Sequence, residues 1–143
     1  MPIRKSKAEW QGNLKQGKGS MSLGSGSFTG SYSFGSRFEE TQGTNPEELI
    51  GAAHAGCFSM AFAHELDQKG YTPKKVSTEA RVELEKKNEG FAIITITLIT
   101  RAEVSGVDEE IFQKIAQEAK KGCPVSKALA GVEIKLQAEL ESI

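Results

Sequence analysis

The stretch GTNPEELIGAAHAGCFSMAFAHELDQKG, residues 43–70, decides how the chain is read. Asn45 is a good N-cap, Pro46 suits the first helical position, and Glu48 stands three past the cap, the spacing of a capping box. Gly70 supplies a C-terminal stop. Between these signals the chain is apolar on nearly every helical face from Leu49 to Ala63. A helix of that kind is buried all round rather than laid on a surface. Its alanines and Gly56 let other backbones approach closely.

Upstream, residues 8–35 are rich in Gly, Ser and aromatics, which predicts short strands joined by tight turns. These glycines do not lead into an apolar helix, so a phosphate-binding loop is not supported. Downstream, KKVSTEARVELEKK (74–87) alternates Val76, Thr78, Ala80, Val82 and Leu84 against polar partners. A turn at Asn88–Gly90 leads into FAIITITLITRAEV (91–104), and the pair reads as a long β-hairpin. Asp108 caps a second helix over 109–121, with Ile111, Phe112, Ile115, Ala116 and Ala119 on one face and a Val107–Phe112 staple. Gly122 ends it, Pro124 starts a short helix to about Ala130, and VEIKLQAEL (132–140) alternates as a last strand. There is no regular βαβ alternation, so the expected class is α+β with mainly antiparallel strands. One sheet and a modest second helix cannot cover a helix that is apolar all round. A second copy of the chain would supply the missing wall, which predicts a homodimer.

The chain has 143 residues, read as a single domain over 1–143. Such a length can bury roughly 68–70% of the unfolded surface and needs no disulfide to fold. Composition is that of a soluble globular protein, 38% hydrophobic and 26% charged. The net charge is −1 and no Lys/Arg stripe occurs, which argues against a nucleic-acid partner. The longest strongly apolar run, FAIITITLI (91–99), falls short of the ~20 residues a membrane span needs. MPIRKSKAEW lacks the apolar segment of a secretory signal, so the expected compartment is the cytoplasm. Thiols rest reduced there, and a disulfide is usually transient and catalytic or sensing.

The chain has two cysteines, Cys57 inside the apolar helix and Cys123 in KKGCPVSKAL (120–129). A thiol at pKa ~8.5 is only slightly ionised at neutral pH, and burial raises it further. Cys57 lies ~11 residues into its helix, beyond the reach of the helix dipole. It is inert unless a cation stands beside it. One Arg at ~4 Å contributes on the order of 4 kcal/mol at an effective dielectric of ~20, enough for ~3 pKa units. Of four arginines, Arg37 is the candidate, because YSFGSRFEE sets it between Phe34 and Phe38 just before the helix. A solvated loop arginine is the alternative. An acid would orient that guanidinium. Glu48 has its capping role, which leaves Glu47. Glu47 lies ~15 Å before Cys57 along the helix and faces ~80° away. That disfavours a Glu47–Arg37 pair beside the thiol within one chain and favours a contribution from the partner subunit. Cys123, between Gly122 and Pro124 at a helix start, suits a second, resolving thiol. Two independent core cysteines remain the alternative, since only the fold can bring the two together.

TNPEELIGAAHAGCFSMA and KKGCPVSKAL, with YSFGSRFEE upstream, resemble the OsmC/Ohr family of osmotically inducible and organic hydroperoxide resistance proteins, most closely its OsmC branch. The resemblance runs in order over essentially the whole chain. It implies an intertwined homodimer with antiparallel sheets wrapped around long central helices. It also implies a thiol peroxidase acting on organic hydroperoxides, without a cofactor, and reduced by a dithiol, with lipoyl-type dithiols as candidates. Carried onto this sequence, Cys57 would attack the peroxide and become a sulfenic acid. Cys123 would resolve it as a disulfide, Arg37 would stabilise the thiolate and the polarised O–O bond, and Glu47 would orient Arg37. Two rival readings use the same residues. Zinc held by His54, Cys57 and Cys123 lacks any CxxC or HxxxH spacing, and His54 reads better as a packed, hydrogen-bonded core histidine. A redox sensor or an apolar-ligand-binding dimer would use the same cysteine region without turnover.

Overall fold

The computed structural model describes residues 1–141. They fall into two compact units, Met1–Leu49 and the chain from Ile50 onward.

The first unit opens with β1 (Ser6–Gln11), β2 (Lys18–Leu23) and β3 (Thr29–Tyr32), an antiparallel sheet in the order β1-β2-β3. Gly19 pairs with Trp10 on one side and Tyr32 on the other. A Cβ at Gly19 would stand 2.6 Å from the Tyr32 ring and 2.7 Å from the Trp10 ring, so glycine is what lets these rings close over the strand, 5.4 Å apart. A short helix follows, α1 (Phe34–Phe38), in place of the loop expected around Arg37. Ser33 caps it: its Oγ accepts from Ser36 N–H at 3.1 Å, and Ser33 N–H donates to Ser36 Oγ at 2.9 Å. This is a capping box with serine in place of the usual acid.

The long helix α2 runs from Pro46 to Gln68, as expected, and lies mostly in the second unit. Asn45 Oδ1 accepts from Glu48 N–H at 2.7 Å, the forward half of the expected box. The return half is replaced. The Glu48 carboxylate instead accepts from the hydroxyl of buried Thr44 at 2.7 Å, a donor that would otherwise lack a partner. At the other end Gly70 adopts φ +89°, Tyr71 N–H bonds Leu66 O, and Gly70 N–H bonds Asp67 O, the paired bonds of a Schellman stop.

In the second unit β4 (Lys75–Lys87) and β5 (Gly90–Glu103) form the long hairpin, with one irregularity at Glu83/Leu84 where β5 carries an extra residue. Helix α3 (Glu109–Gly122) is capped by Asp108 Oδ1 accepting from Ile111 N–H at 2.9 Å. The short α4 (Pro124–Ala128) and β6 (Glu133–Glu141) complete the unit. β6 lies beside β5 and parallel to it. Two helices between those strands return the chain to the starting end of the sheet, so this one connection is a βαβ crossover within an otherwise antiparallel set. Phe58, Phe62 and Leu66 of α2 pack with Ile96 and Leu98 of β5 and with Phe112 and Ile115 of α3, all fully buried or nearly so. Hydroxyls link helix to sheet: Ser59 donates to Thr78 at 2.7 Å, and Thr78 to buried Thr100 at 3.0 Å.

A single chain buries only one stripe of α2, through Gly51, His54, Phe58, Phe62 and Leu66. The other side, with Ala52, Ala53, Gly56 and Met60, is exposed, and Met60 is 78% exposed. The expectation of burial all round is therefore not met within one chain.

Candidate active site

Each sequence-derived residue falls on a defined element. Cys57 sits mid-way along α2 and is partly exposed, while Cys123 is fully buried. Cys123 is at once the residue that closes α3 and the one that opens α4. Its N–H bonds Ala119 O at 2.9 Å, its carbonyl accepts from Lys127 N–H at 3.0 Å, and Pro124 fixes the first position of α4. This double anchorage aims the side chain at α2. The two thiols are free and their sulfurs lie 3.0 Å apart. A disulfide bond is about 2.05 Å, so the two sulfurs stand about 1 Å from bonding distance.

Burial and the neighbouring Cys123 thiol push the Cys57 pKa up, against a weaker lowering by Val125 N–H. Burial also works to raise Cys123, but the neighbouring Cys57 thiol and the polar groups of Ser126 and Val125 at the start of α4 bring it below the usual thiol value. Of the pair, Cys123 is thus the easier thiolate within this unit. This agrees with the expectation that Cys57 cannot ionise by itself.

His54, one turn before Cys57, is fully buried and hydrogen-bonded through Nε2 to Ser126 Oγ at 2.7 Å. It is the packed core histidine expected from sequence. Among the described residues no three His, Cys, Asp or Glu side chains gather as a metal site. Ser126 was not singled out by the sequence. Its only signal is its place three residues after Cys123, where a helix-start side chain turns back toward the cap.

The other pair lies in the first unit. Arg37 Nε donates to Glu47 Oε1 at 2.9 Å, within one chain and without an acid from a partner. Glu47 is buried, and its second oxygen has no hydrogen-bond partner among the described residues. The Arg37 guanidinium lies over the Phe38 ring, 5.2 Å from its centroid, and Phe38 packs on Phe34 at 5.0 Å. Arg37 also lines a cleft of about 230 Å³ with Trp10, Leu14, Tyr32, Ser33, Phe34 and Phe38. The aromatic setting read from YSFGSRFEE is therefore present.

The structure thus joins the four residues as two pairs, thiol with thiol and guanidinium with carboxylate. The model of the OsmC-like protein family matches residues 39–137. The chain belongs to this OsmC-like family. Over 140 residues it is 49% identical to peroxiredoxin OsmC of Escherichia coli (strain K12), covering 97% of each chain. It is 34% identical over 101 residues to the organic hydroperoxide resistance protein OhrB of Bacillus subtilis (strain 168), covering 69% of this chain and 72% of that one. Among solved structures, an organic hydroperoxide resistance protein OsmC of Legionella pneumophila superposes with a TM-score of 0.69 at 24% identity, covering 97% of this chain and 99% of that one. That last likeness shows the OsmC-like fold, the α+β class expected from the sequence.

Proposed function

We infer that this chain is a thiol-dependent peroxidase that reduces organic hydroperoxides, and inorganic ones less efficiently, through Cys57 and Cys123. The observation that carries the reading is the pair of free sulfurs 3.0 Å apart, contributed by segments far apart in sequence. Kinship with a curated peroxiredoxin at 49% identity supports it.

In the proposed cycle the Cys57 thiolate attacks the distal peroxide oxygen. The S–O bond forms, the O–O bond breaks, and the alkoxide leaves and takes a proton to become the alcohol. Cys57 is then a sulfenic acid. The Cys123 thiolate attacks that sulfur, the S–S bond forms, and hydroxide leaves as water after taking a proton. A dithiol, of lipoyl type in our reading, reduces the disulfide by exchange and is itself oxidised. Arg37 supplies the positive charge that Cys57 lacks and steadies the developing alkoxide, and Glu47 orients Arg37 through the ion pair. The thiols rest reduced in the cytoplasm, which we take as the compartment. No helix is long and apolar enough to cross a membrane among the described residues.

Turnover is the test. With cumene hydroperoxide and an excess of dihydrolipoamide, the wild type should consume many equivalents, and faster than with hydrogen peroxide. A protein that oxidises once and stops is a sensor, and that result would overturn the reading.

The working form we propose is a homodimer, with the two units acting as one domain. The exposed small apolar face of α2 around Ala53, Gly56 and Met60 supports it. Met60→Glu places a charge on that face and should reduce the mass in sedimentation from two chains to one, or prevent folding. A wild type that is wholly monomeric in dilute solution would exclude the dimer.

A further inference from the structure

Two polar contacts join α2 to the start of α4, and the cycle above uses one of them. Cys57 meets Cys123 with the sulfurs 3.0 Å apart, and His54 Nε2 meets Ser126 Oγ at 2.7 Å. The spacing is the same on both sides. His54 and Cys57 stand three apart on one face of α2, and Cys123 and Ser126 stand three apart across the start of α4. Residue numbers rise along α2 as they fall along α4, so the two contacts are successive rungs between antiparallel segments. Both members of the second rung are buried, His54 completely. His54 Nδ1 is buried and has no hydrogen-bond partner among the described residues, so the ring is tied to them through Nε2. A half-satisfied buried imidazole is a poor source of stability, since an apolar side chain of its size would fill the space without an unpaired nitrogen. What it supplies is register. Among the described residues its bond to Ser126 is the one hydrogen bond, other than the sulfur contact, between α2 and the five-residue α4 with its cap.

We propose that the His54–Ser126 contact is a register clamp: both are positioning residues that hold Cys123 against Cys57 and so set how readily the two sulfurs become a disulfide. The physical ground is linkage. Both rungs join the same two segments, so closing either removes freedom that closing the other would have to remove, and the help is mutual. The approach from 3.0 Å to the bonding distance of about 2.05 Å takes place in a register the neighbouring rung already holds. The consequence for turnover rests on the peroxidase reading. There the Cys123 thiolate attacks the sulfenic sulfur of Cys57, the S–S bond forms, and hydroxide departs as water after taking a proton. A clamp that keeps Cys123 in place shortens the life of the sulfenic acid and favours the disulfide over the dithiol. In this role His54 and Ser126 exchange no proton.

The test reads the thiol–disulfide equilibrium itself. Wild type and variants are equilibrated with dihydrolipoamide and lipoamide at fixed ratios, and the Cys57–Cys123 disulfide is quantified by alkylation of free thiols and mass spectrometry. His54→Leu should make the disulfide about fivefold easier to reduce, the size of a typical net hydrogen bond and a shift of about 20 mV. Ser126→Ala should give the same shift, and the double variant should add nothing, because either change opens the same rung. His54→Gln, whose amide reaches the position of Nε2, should return the equilibrium to near that of the wild type. Urea unfolding of both redox forms tells this from a merely structural role. Lost packing weakens the reduced and oxidised proteins equally and leaves the equilibrium where it was, whereas a lost clamp weakens the oxidised protein more. If His54→Leu does not fold, Ser126→Ala carries the comparison, with Ser126→Thr as the variant that keeps the hydroxyl. An equilibrium that Ser126→Ala leaves unmoved, or that moves as far with His54→Gln as with His54→Leu, overturns the proposal. The measurement needs no hydroperoxide, so its failure is separable from failure of the functional reading, which turnover decides.

Discussion

Cys57→Ser should consume no hydroperoxide above the background of dithiol and buffer, whereas Cys123→Ser should reduce one equivalent per chain and stop. The first loss is complete because a serine hydroxyl stays protonated and the remaining sulfur, Cys123, is fully buried away from the peroxide. The second variant keeps the attacking sulfur but removes the one that lies 3.0 Å away. Its sulfenic acid then has no partner within reach and should be trapped quantitatively by dimedone and seen by mass spectrometry. An added small thiol should return slow turnover to Cys123→Ser and none to Cys57→Ser. Equal activity in the wild type and both variants would reject the mechanism. If the single-equivalent behaviour falls on Cys57→Ser instead, Cys123 is the attacking sulfur and the roles are exchanged. That exchange is a real alternative outcome, because within its own unit Cys123 is the easier of the two to ionise.

The fold was legible where one segment carries its own physics. The apolar run to Ala63 with Asn45 and Gly70 at its ends specifies α2, because caps and periodicity act within a few residues. Strict alternation likewise specifies the β4–β5 hairpin. Three features were not legible. Helix α1 is a single short turn whose box uses Ser33 and Ser36, and serine at the third position is a weak signal beside glutamate. The direction of β6 could not be read, since a period of two fixes which side chains face the core and says nothing of parallel or antiparallel pairing. Glu48 was misassigned in part because the competing Thr44 hydroxyl becomes a competitor only once it is buried. For the site, charge accounting pointed to Arg37 and Glu47 from their neighbours in sequence. The meeting of Cys57 with Cys123, and of His54 with Ser126, depends on α3 delivering α4 against α2. Spacing contains no such information, and for the cysteines it was the family resemblance that supplied it.

Arg37→Ala should slow peroxide consumption on the order of 10²-fold at neutral pH, while leaving the fold intact. Two effects combine. The first is ionisation: burial and the Cys123 thiol push Cys57 up, so if Arg37 acts on Cys57 as proposed, its removal should move the midpoint of Cys57 higher and leave less thiolate at neutral pH. The full Coulomb figure of about 4 kcal/mol is an upper bound, because the Arg37 side chain is 38% exposed and solvent screens it. The second is the loss of a donor to the departing alkoxide, and single donors of this type contribute on the order of 10²-fold. The two are separable by pH. The rate of Cys57 alkylation against pH should shift upward and recover fully in alkali, whereas peroxide turnover should recover only in part, since alkali restores the thiolate and not the donor. Arg37→Lys keeps the charge but loses the Nε–H that bonds Glu47 Oε1 and the planar face over the Phe38 ring, so it should fall between wild type and Arg37→Ala. Glu47→Gln retains an acceptor for Arg37 Nε and removes the ion pair, and should act in the same direction more weakly. An alkylation curve unchanged by Arg37→Ala would take the guanidinium out of the mechanism.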